Sequence, residues 1–424
     1  AYRDKVADHP LIGPTLEFRE GRGASNWWIV AGSRTNNGRP ILANDPHLGL
    51  DTPSIFYENR LFSTDSRFPT PYSFSGSTPA GVPGSLLGCT ERMCWGLTTN
   101  PMDVTDTYQE SFRLNPYGLP THTIHGGVAE PVVWVFQSYF VNAVGDGVQN
   151  NIARTNSIGY TNGGVTVIVP RRNNGPVLQI LGDTGLSVAY TGWGATNELE
   201  AFRRLPRTRN LQEFRDALSF FDVGSQNFAY ADVEGNIAYF VTAEAPLRTD
   251  LQTLGRPDGG IPPFLIRNGT GTLQHDWLPR TNTYPNQALN FEILPPAEMP
   301  FVINPSSGYI ANANNDPVGV TLDNKVRRGG GLYYLDKGYS AFRQGRIDRI
   351  LAAETAANRP IDADFLKRAQ ANNQPLDAEK LTPFLLTAAA NARAASAPAD
   401  LRALINDARV AAAIDRLAQW DYST

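Results

Sequence analysis

SNWWIVAGSRTNNGRPILANDPHLGL, residues 25–50, decides how this chain is read. Two short apolar runs, WWIVAG (27–32) and PILAND (40–45), are separated by SRTNNGR, whose Asn37-Gly38 pair is a strong hairpin-turn signal. Ser25 stands directly after a polar, glycine-containing segment and directly before a buried strand. That is an unusual place for a structural serine. A serine freed at a chain N-terminus carries its own base, because an α-amino group titrates near neutrality and can accept the hydroxyl proton. The plainer reading is that Ser25 only caps or turns the chain.

Working outward, residues 1–24 read as a linker or processing peptide, with Pro10, Gly13, Pro14 and a charged FREGRG tail. The opening AYRDKVADHP has no basic start followed by an apolar run, so it does not read as a signal peptide. The closing LAQWDYST follows a helical segment abruptly, and both ends read as cut from something longer. No stretch of about 18 apolar residues is present, as a membrane-crossing helix would need.

Composition excludes several classes. Lys+Arg 37 against Asp+Glu 41 gives a formal net charge of −4, which argues against a nucleic-acid binder. Hydrophobics at 41% suffice for a packed core and argue against wholesale disorder. Gly 38 and Pro 31 point to a turn-rich, β-heavy chain. The histidines are His9, His47, His122, His125 and His275, and with two cysteines they form no zinc-type ligand cluster. A GxSxG elbow, a Gly-Lys dipeptide, a GxGxxG after a strand and HExxH are all missing. The chain is enzyme-sized, yet it lacks most of the usual catalytic signatures.

Strand-like runs occur at 81–88, 93–98, 131–142, 164–170, 176–181, 186–191 and 227–242. Helical patterns occur at 197–204 and 210–221, and the chain turns Ala- and Arg-rich and helical after residue 341. Strands first and helices late read as α+β. Cys89 and Cys94 flank Thr90–Met93 between apolar runs, which suggests a hairpin. The two face each other as a disulfide, which would favour a periplasmic or secreted protein, or remain two small buried thiols.

Four blocks carry a resemblance. They are residues 25–50, GSTPAGVPGSLLG (76–88) with WGLTTNPMDVTDTY (95–108), QNFAYADVEGNIAY (226–239), and NPSSGYIANANNDP (304–317). Their order and spacing resemble the β subunit of penicillin acylases, the N-terminal-nucleophile hydrolases that include acyl-homoserine lactone acylases. The resemblance implies a four-layer αββα sandwich of stacked antiparallel sheets. It implies a core at 25–340 after the linker 1–24, with an added helical segment at 341–424 that is incomplete at its C-terminal end.

It also implies an amide-hydrolysing acylase working through an acyl-enzyme. Ser25 matches the N-terminal nucleophile that self-cleavage exposes. His47 matches a position near that nucleophile. Thr99, by its backbone N–H, and Asn227, by its side-chain amide, match the oxyanion donors. Arg248 matches an arginine that holds the amino-terminal and Asn227 region in place. Asp103, Thr105 and Asp106 match a calcium-binding loop whose remaining ligands come from elsewhere, including an α subunit cut from the same precursor. Leu48, Leu87 and Leu97 match acyl-pocket positions, and leucines there suit a flexible aliphatic chain at least as well as a phenylacetyl group. Two departures stand out: Ala24 replaces the commoner Gly before the nucleophile, and Gly88-Cys89-Thr90 replaces the usual Gly-His-Asn.

Two other functions compete with the acylase. A β-rich binding module would explain the aromatic and Gly/Pro content, but not the ordered co-occurrence of Ser25, Asn227 and the acidic loop. An uncleaved, inactive homologue would keep the fold and lose the chemistry.

Overall fold

Strand β1 (Ala24–Val30) is apolar on both faces because both faces are covered. The computed structural model describes residues 24–49, 52–65, 72–82, 84–142, 147, 152–155, 164–252, 260–319, 335 and 341–423. The linker expected before Ser25 lies almost entirely outside them. β1 sits between β2 (Ile41–His47) and β20 (Tyr309–Asn312), antiparallel to each. Successive strand side chains alternate faces. Trp27 and Ile29 therefore enter one core, with Ala229, Tyr239 and Val241, while Trp28 and Val30 enter another, with Leu351, Ile361 and Leu366.

The first of these cores lies against a seven-stranded antiparallel sheet. Its order is β19 (Phe301–Ile303), β17 (Ile237–Thr242), β16 (Gln226–Asp232), β6 (Met93–Thr99), β5 (Leu87–Cys89), β4 (Tyr72–Pro79) and β3 (Phe56–Ser63). The far face of that sheet buries Trp95, Phe228, Tyr230 and Phe240 under α1 (Glu198–Arg204) and α2 (Leu211–Leu218). α2 is capped by Asn210: its side-chain oxygen accepts from the Glu213 N–H, and its side-chain Nδ2 donates to Glu213 Oε1. Phe214, Ala217 and Leu218 then fall on one face.

On the outer side of β1, α3 (Phe342–Ala356) supplies Leu351 and α4 (Ala363–Gln370) supplies Leu366. The layers thus run helix, sheet, sheet, helix, an α+β sandwich. α3 and α4 form the sandwich's outer layer, α5 (Leu376–Arg393) packs on α3, and α6 (Ala399–Ile405) and α7 (Ala408–Gln419) pack on α5 and on each other.

A further eight-stranded sheet stands beside the sandwich. Its order is β10 (Val133–Gln137), β13 (Gly164–Val169), β14 (Gly175–Leu181), β15 (Thr184–Tyr190), β7 (Thr105–Leu114), β8 (Pro120–His125) and β9 (Val128–Pro131), with β18 (Arg267–Asn268) parallel to β7. β11 (Tyr139–Asn142) and β12 (Ile152–Thr155) form a separate pair.

The β1–β2 connection is longer than the two-residue turn that Asn37-Gly38 suggests. A 3-10 turn at Gly32–Arg34 intervenes, and the Thr35 hydroxyl and Asn37 side chain close the loop on Arg39. Gly38 supplies the positive φ of 72°. A Cβ on Gly32 would lie 2.3 Å from the Gly38 carbonyl oxygen, so no side chain fits there. Cys89 and Cys94 pair directly across the β5–β6 hairpin and are disulfide-bonded, with Cα atoms 4.0 Å apart.

Candidate active site

Ser25 is the second residue of β1, opposite Pro46, and only 5% exposed. Alternation puts its side chain on the Trp27 face, between the two sheets. Its backbone nitrogen donates to Asn314 Oδ1 at 2.9 Å. Asn314 follows β20 in the left-handed region, at φ 63°, and its own N–H donates to Asn312 Oδ1. The Asn314 amide donates in turn to the Thr99 carbonyl at 2.8 Å. One asparagine therefore joins the start of β1 to the end of β6.

Arg343, in the first turn of α3, reaches the same point. Nη1 donates to the Ser25 carbonyl at 2.7 Å and to Asn26 Oδ1 at 2.6 Å, and Nη2 donates to Asn314 Oδ1 at 2.9 Å. Asn44 of β2 clamps the sheets together. Its amide donates to the Asn26 and Leu97 carbonyls, and its Oδ1 accepts from the Leu97 N–H. Gly96 permits this approach, since a Cβ there would lie 2.6 Å from Asn44 Oδ1.

Asn227, on β16, is fully buried and saturated. Its amide donates to Thr98 Oγ1 (3.1 Å) and the Thr99 carbonyl (3.2 Å), and its Oδ1 accepts from Asn100 (2.8 Å) and the Tyr239 hydroxyl (2.7 Å). Thr99 is thus joined to both Asn227 and Asn314. His47 pairs with Ala24, on the Asn26 side of β1. Its Nδ1 lies 2.9 Å from the Asp45 carbonyl oxygen, and its side chain is 43% exposed.

Arg248 lies elsewhere, at the Asp103–Asp106 loop. Nε donates to Asp106 Oδ2 (3.0 Å) and Nη2 to Asp103 Oδ1 and its carbonyl (both 3.1 Å). The Trp277 indole also donates to Asp106. Thr105 opens β7, and its N–H donates to Asp103 Oδ1 at 3.3 Å. Among the acyl-pocket positions, Leu97 packs with Phe74, Trp95 and Phe228 in the helix-covered core, while Leu48 and Leu87 are half-buried.

The sequence pattern of penicillin amidases matches residues 3–424. The chain belongs to the penicillin amidase family. Penicillin G acylase of Escherichia coli is 28% identical over 304 residues, which are 69% of this chain and 29% of that protein. The acyl-homoserine lactone acylase QuiP of Pseudomonas aeruginosa is 26% identical over 230 residues, 54% of this chain and 26% of that protein. The chain spans roughly a quarter to a third of these curated relatives. Thermostable penicillin G acylase from Alcaligenes faecalis superposes with a TM-score of 0.64 at 22% identity, covering 94% of this chain and 59% of that one, so the fold is the same.

Calcium takes six to eight oxygen ligands. In this penicillin amidase family member, both acids of the expected loop turn on the Arg248 guanidinium. Among the described residues, no group of three or more His, Cys, Asp or Glu is placed to hold a metal ion. The Arg248 guanidinium pairs with both carboxylates.

A cavity of about 290 Å³ lies beside β17 and β19 of the seven-stranded sheet, lined by Asp222, Phe240, Glu244, Leu294 and Phe301 among others; Ser25, Thr99 and Asn314 are not part of it. Glu244 accepts from the Ala288 and Leu289 N–H groups at 2.7 Å each. Burial, reinforced by Asp222, pushes the Glu244 carboxyl up to about 7 from 4.5. A carboxyl raised this way binds a proton on folding, so its contribution to stability is lost as pH rises from about 4.5 to about 7. Glu244→Gln should therefore flatten the decline in unfolding free energy over that window. Denaturant titrations at both ends check this; equal slopes in variant and wild type would rule it out.

Proposed function

We propose that this chain carries the catalytic centre of an acylase that hydrolyses the amide of an N-acylated small molecule, using Ser25 freed at an N-terminus by self-cleavage after Ala24. The supporting observation is the seat of the Ser25 nitrogen. It lies between the two sheets, against Asn314 Oδ1, at the start of the central strand of its sheet. A nitrogen so held becomes, after cleavage, an amine of fixed position beside its own hydroxyl.

In this reading the Ser25 hydroxyl attacks the amide carbonyl carbon and its proton passes to the Ser25 amine. The oxyanion takes hydrogen bonds from the Thr99 N–H and the Asn227 amide. The Asn227 amide must first leave the Thr99 carbonyl to serve. Collapse expels the leaving amine, which takes the proton from the Ser25 ammonium and leaves an acyl-serine. Water then attacks the ester, the amine again takes the proton, and the carboxylic acid departs with the serine hydroxyl restored. Arg248 holds the acidic loop through Asp103 and Asp106.

The partner is an α subunit from the same precursor. A calcium ion at Asp103, Thr105 and Asp106 would rely on ligands from that subunit. The Cys89–Cys94 disulfide favours a periplasmic or secreted setting. The relatives named for penicillin and for acyl-homoserine lactones frame the substrate class, and Leu48 and Leu87 favour an aliphatic acyl chain. An apolar slot discriminates by only about 1–3 kcal/mol per methylene, so chain-length preference will be graded.

Intact-mass analysis and N-terminal sequencing of the enzyme made from its full precursor test the nucleophile. A fragment beginning at Ser25 is expected, and its absence removes the mechanism. Comparing decanoyl with phenylacetyl amides tests the acyl preference, which faster phenylacetyl turnover would contradict.

A further inference from the structure

Arg343 is not among the residues that the sequence motifs single out, yet three of its hydrogen bonds converge on the seat of Ser25. The guanidinium and the Ser25 nitrogen donate to the same oxygen, Asn314 Oδ1, each at 2.9 Å. The two nitrogens can be no further apart than those two bonds end to end. An arginine this close is a fixed cation, since its guanidinium stays charged throughout the accessible pH range. We propose that Arg343 is a positioning residue for the Ser25 amine: it holds Asn314 Oδ1 as the amine's acceptor and, as an adjacent cation, favours the uncharged amine that can take the hydroxyl proton. This rests on Ser25 being the N-terminal nucleophile.

The physical sign is definite. A neighbouring positive charge disfavours a second one, so the ammonium form loses ground to the free amine. An ordinary α-amino group titrates at about 7.7–8.0, so at neutral pH only a minority of it is the free amine that can act as base. A shared acceptor also aims the amine, because Asn314 Oδ1 is itself pinned by Arg343 while its amide is pinned by the Thr99 carbonyl.

Among the described residues, the other charged groups near this end of β1 come from β2 and from the loop after β20. From β2 come Asp45, whose Oδ2 accepts from the Asn26 amide at 3.2 Å, and His47, opposite Ala24. Both attach to the Asn26 face of β1, the face from which Arg343 donates to Asn26 Oδ1, so Asn26 bridges the Asp45 carboxylate and the guanidinium. Asp316 lies in the loop beyond Asn314, where its side chain accepts from the Val318 and Gly319 N–H groups. The larger sheet contributes the neutral groups of Thr98, Thr99 and Asn227. Arg343 is the cation whose hydrogen bonds reach the Ser25 carbonyl and the amine's acceptor.

The test is the acid limb of the kcat/KM–pH profile of the processed enzyme, alpha subunit included, with processing verified by mass in each sample. The wild type should show an apparent pKa below the ordinary α-amino range of about 7.7–8.0. Arg343→Met should move that limb up by about one pH unit, and Arg343→Lys, which keeps the charge, by clearly less. A merely structural arginine would lower activity without moving the limb. An unmoved limb in a processed Arg343→Met enzyme overturns the proposal. So does a wild-type limb at or above the ordinary range, which decides the matter even when the Met variant fails to mature. If the wild type has no chain beginning at Ser25, the nucleophile assignment itself falls first, and that outcome is visible in the mass before any profile is taken.

Discussion

Ser25→Ala will leave an intact bond between residues 24 and 25 and an enzyme without amide-hydrolysing activity. Alanine retains the backbone nitrogen that donates to Asn314 Oδ1, and it removes only a hydroxyl from a site that is 5% exposed. The fold should therefore survive. Both reactions that need the hydroxyl should not. The same oxygen is required first to attack the preceding peptide carbonyl and later to attack substrate. Loss of a serine nucleophile elsewhere costs on the order of 10⁶ in kcat, and a comparable fall is expected here. Amide turnover and intact mass, measured on one preparation with a circular-dichroism check of folding, suffice. A folded Ser25→Ala enzyme that still turned over amide would sink the mechanism, whatever its rate relative to related acylases.

Arg248→Met should cost about 3–5 kcal/mol of folding free energy, the largest stability effect expected from any substitution argued here. Arg248 is 1% exposed, Asp103 1% and Asp106 0%. Removing the guanidinium leaves two carboxylates out of water with no cation between them. Trp277 can hydrogen-bond one of them, but an indole N–H carries no charge. Arg248→Lys should recover part of the loss, because an ammonium supplies the charge without the fork that reaches both acids at once. Combining Arg248→Met with Asp106→Asn should cost less than the two single changes added, since each removes the reason the other is needed. Denaturant unfolding of the four proteins reads this out. A single-variant loss below about 1 kcal/mol would mean that the cluster is open to water.

Much of the sandwich was legible because its central strands are buried on both faces. WWIV in β1 and the paired runs of β16 and β17 are apolar without interruption, and only a strand with a layer on each side needs that. The two helices over the seven-stranded sheet announce themselves by helical spacing. β7 does not. Its inward positions are Asp106, Tyr108, Glu110 and Phe112, so half of its buried pattern is acidic. Hydrophobic periodicity fails there because distant arginines neutralise the acids: Arg248 at Asp106 and Arg172 at Glu110, the latter at 2.7 Å. β3 and β4 are partly exposed and mostly polar, and they escape for a different reason, having one face near water.

The candidate site divides the same way. Ser25 stood out because a serine between a linker and a buried strand has a chemical meaning without any knowledge of its neighbours. Asn314 lay inside a quoted motif, NPSSGYIANANNDP, but nothing local says that its side chain meets the Ser25 nitrogen, 289 residues away. Arg343 had no local signal at all, being the second residue of a helix whose face could be read only as a layer.

By itself the sequence determined the class of fold, the family resemblance and the serine at the head of the central strand, because burial pattern and backbone chemistry act over a few residues. Only the tertiary structure decided what surrounds that serine, and that Arg248 serves the acidic loop rather than the nucleophile. Hydrogen bonds and ion pairs act over about 3 Å, and which side chains come that close is fixed by the stacking of layers, not by distance along the chain.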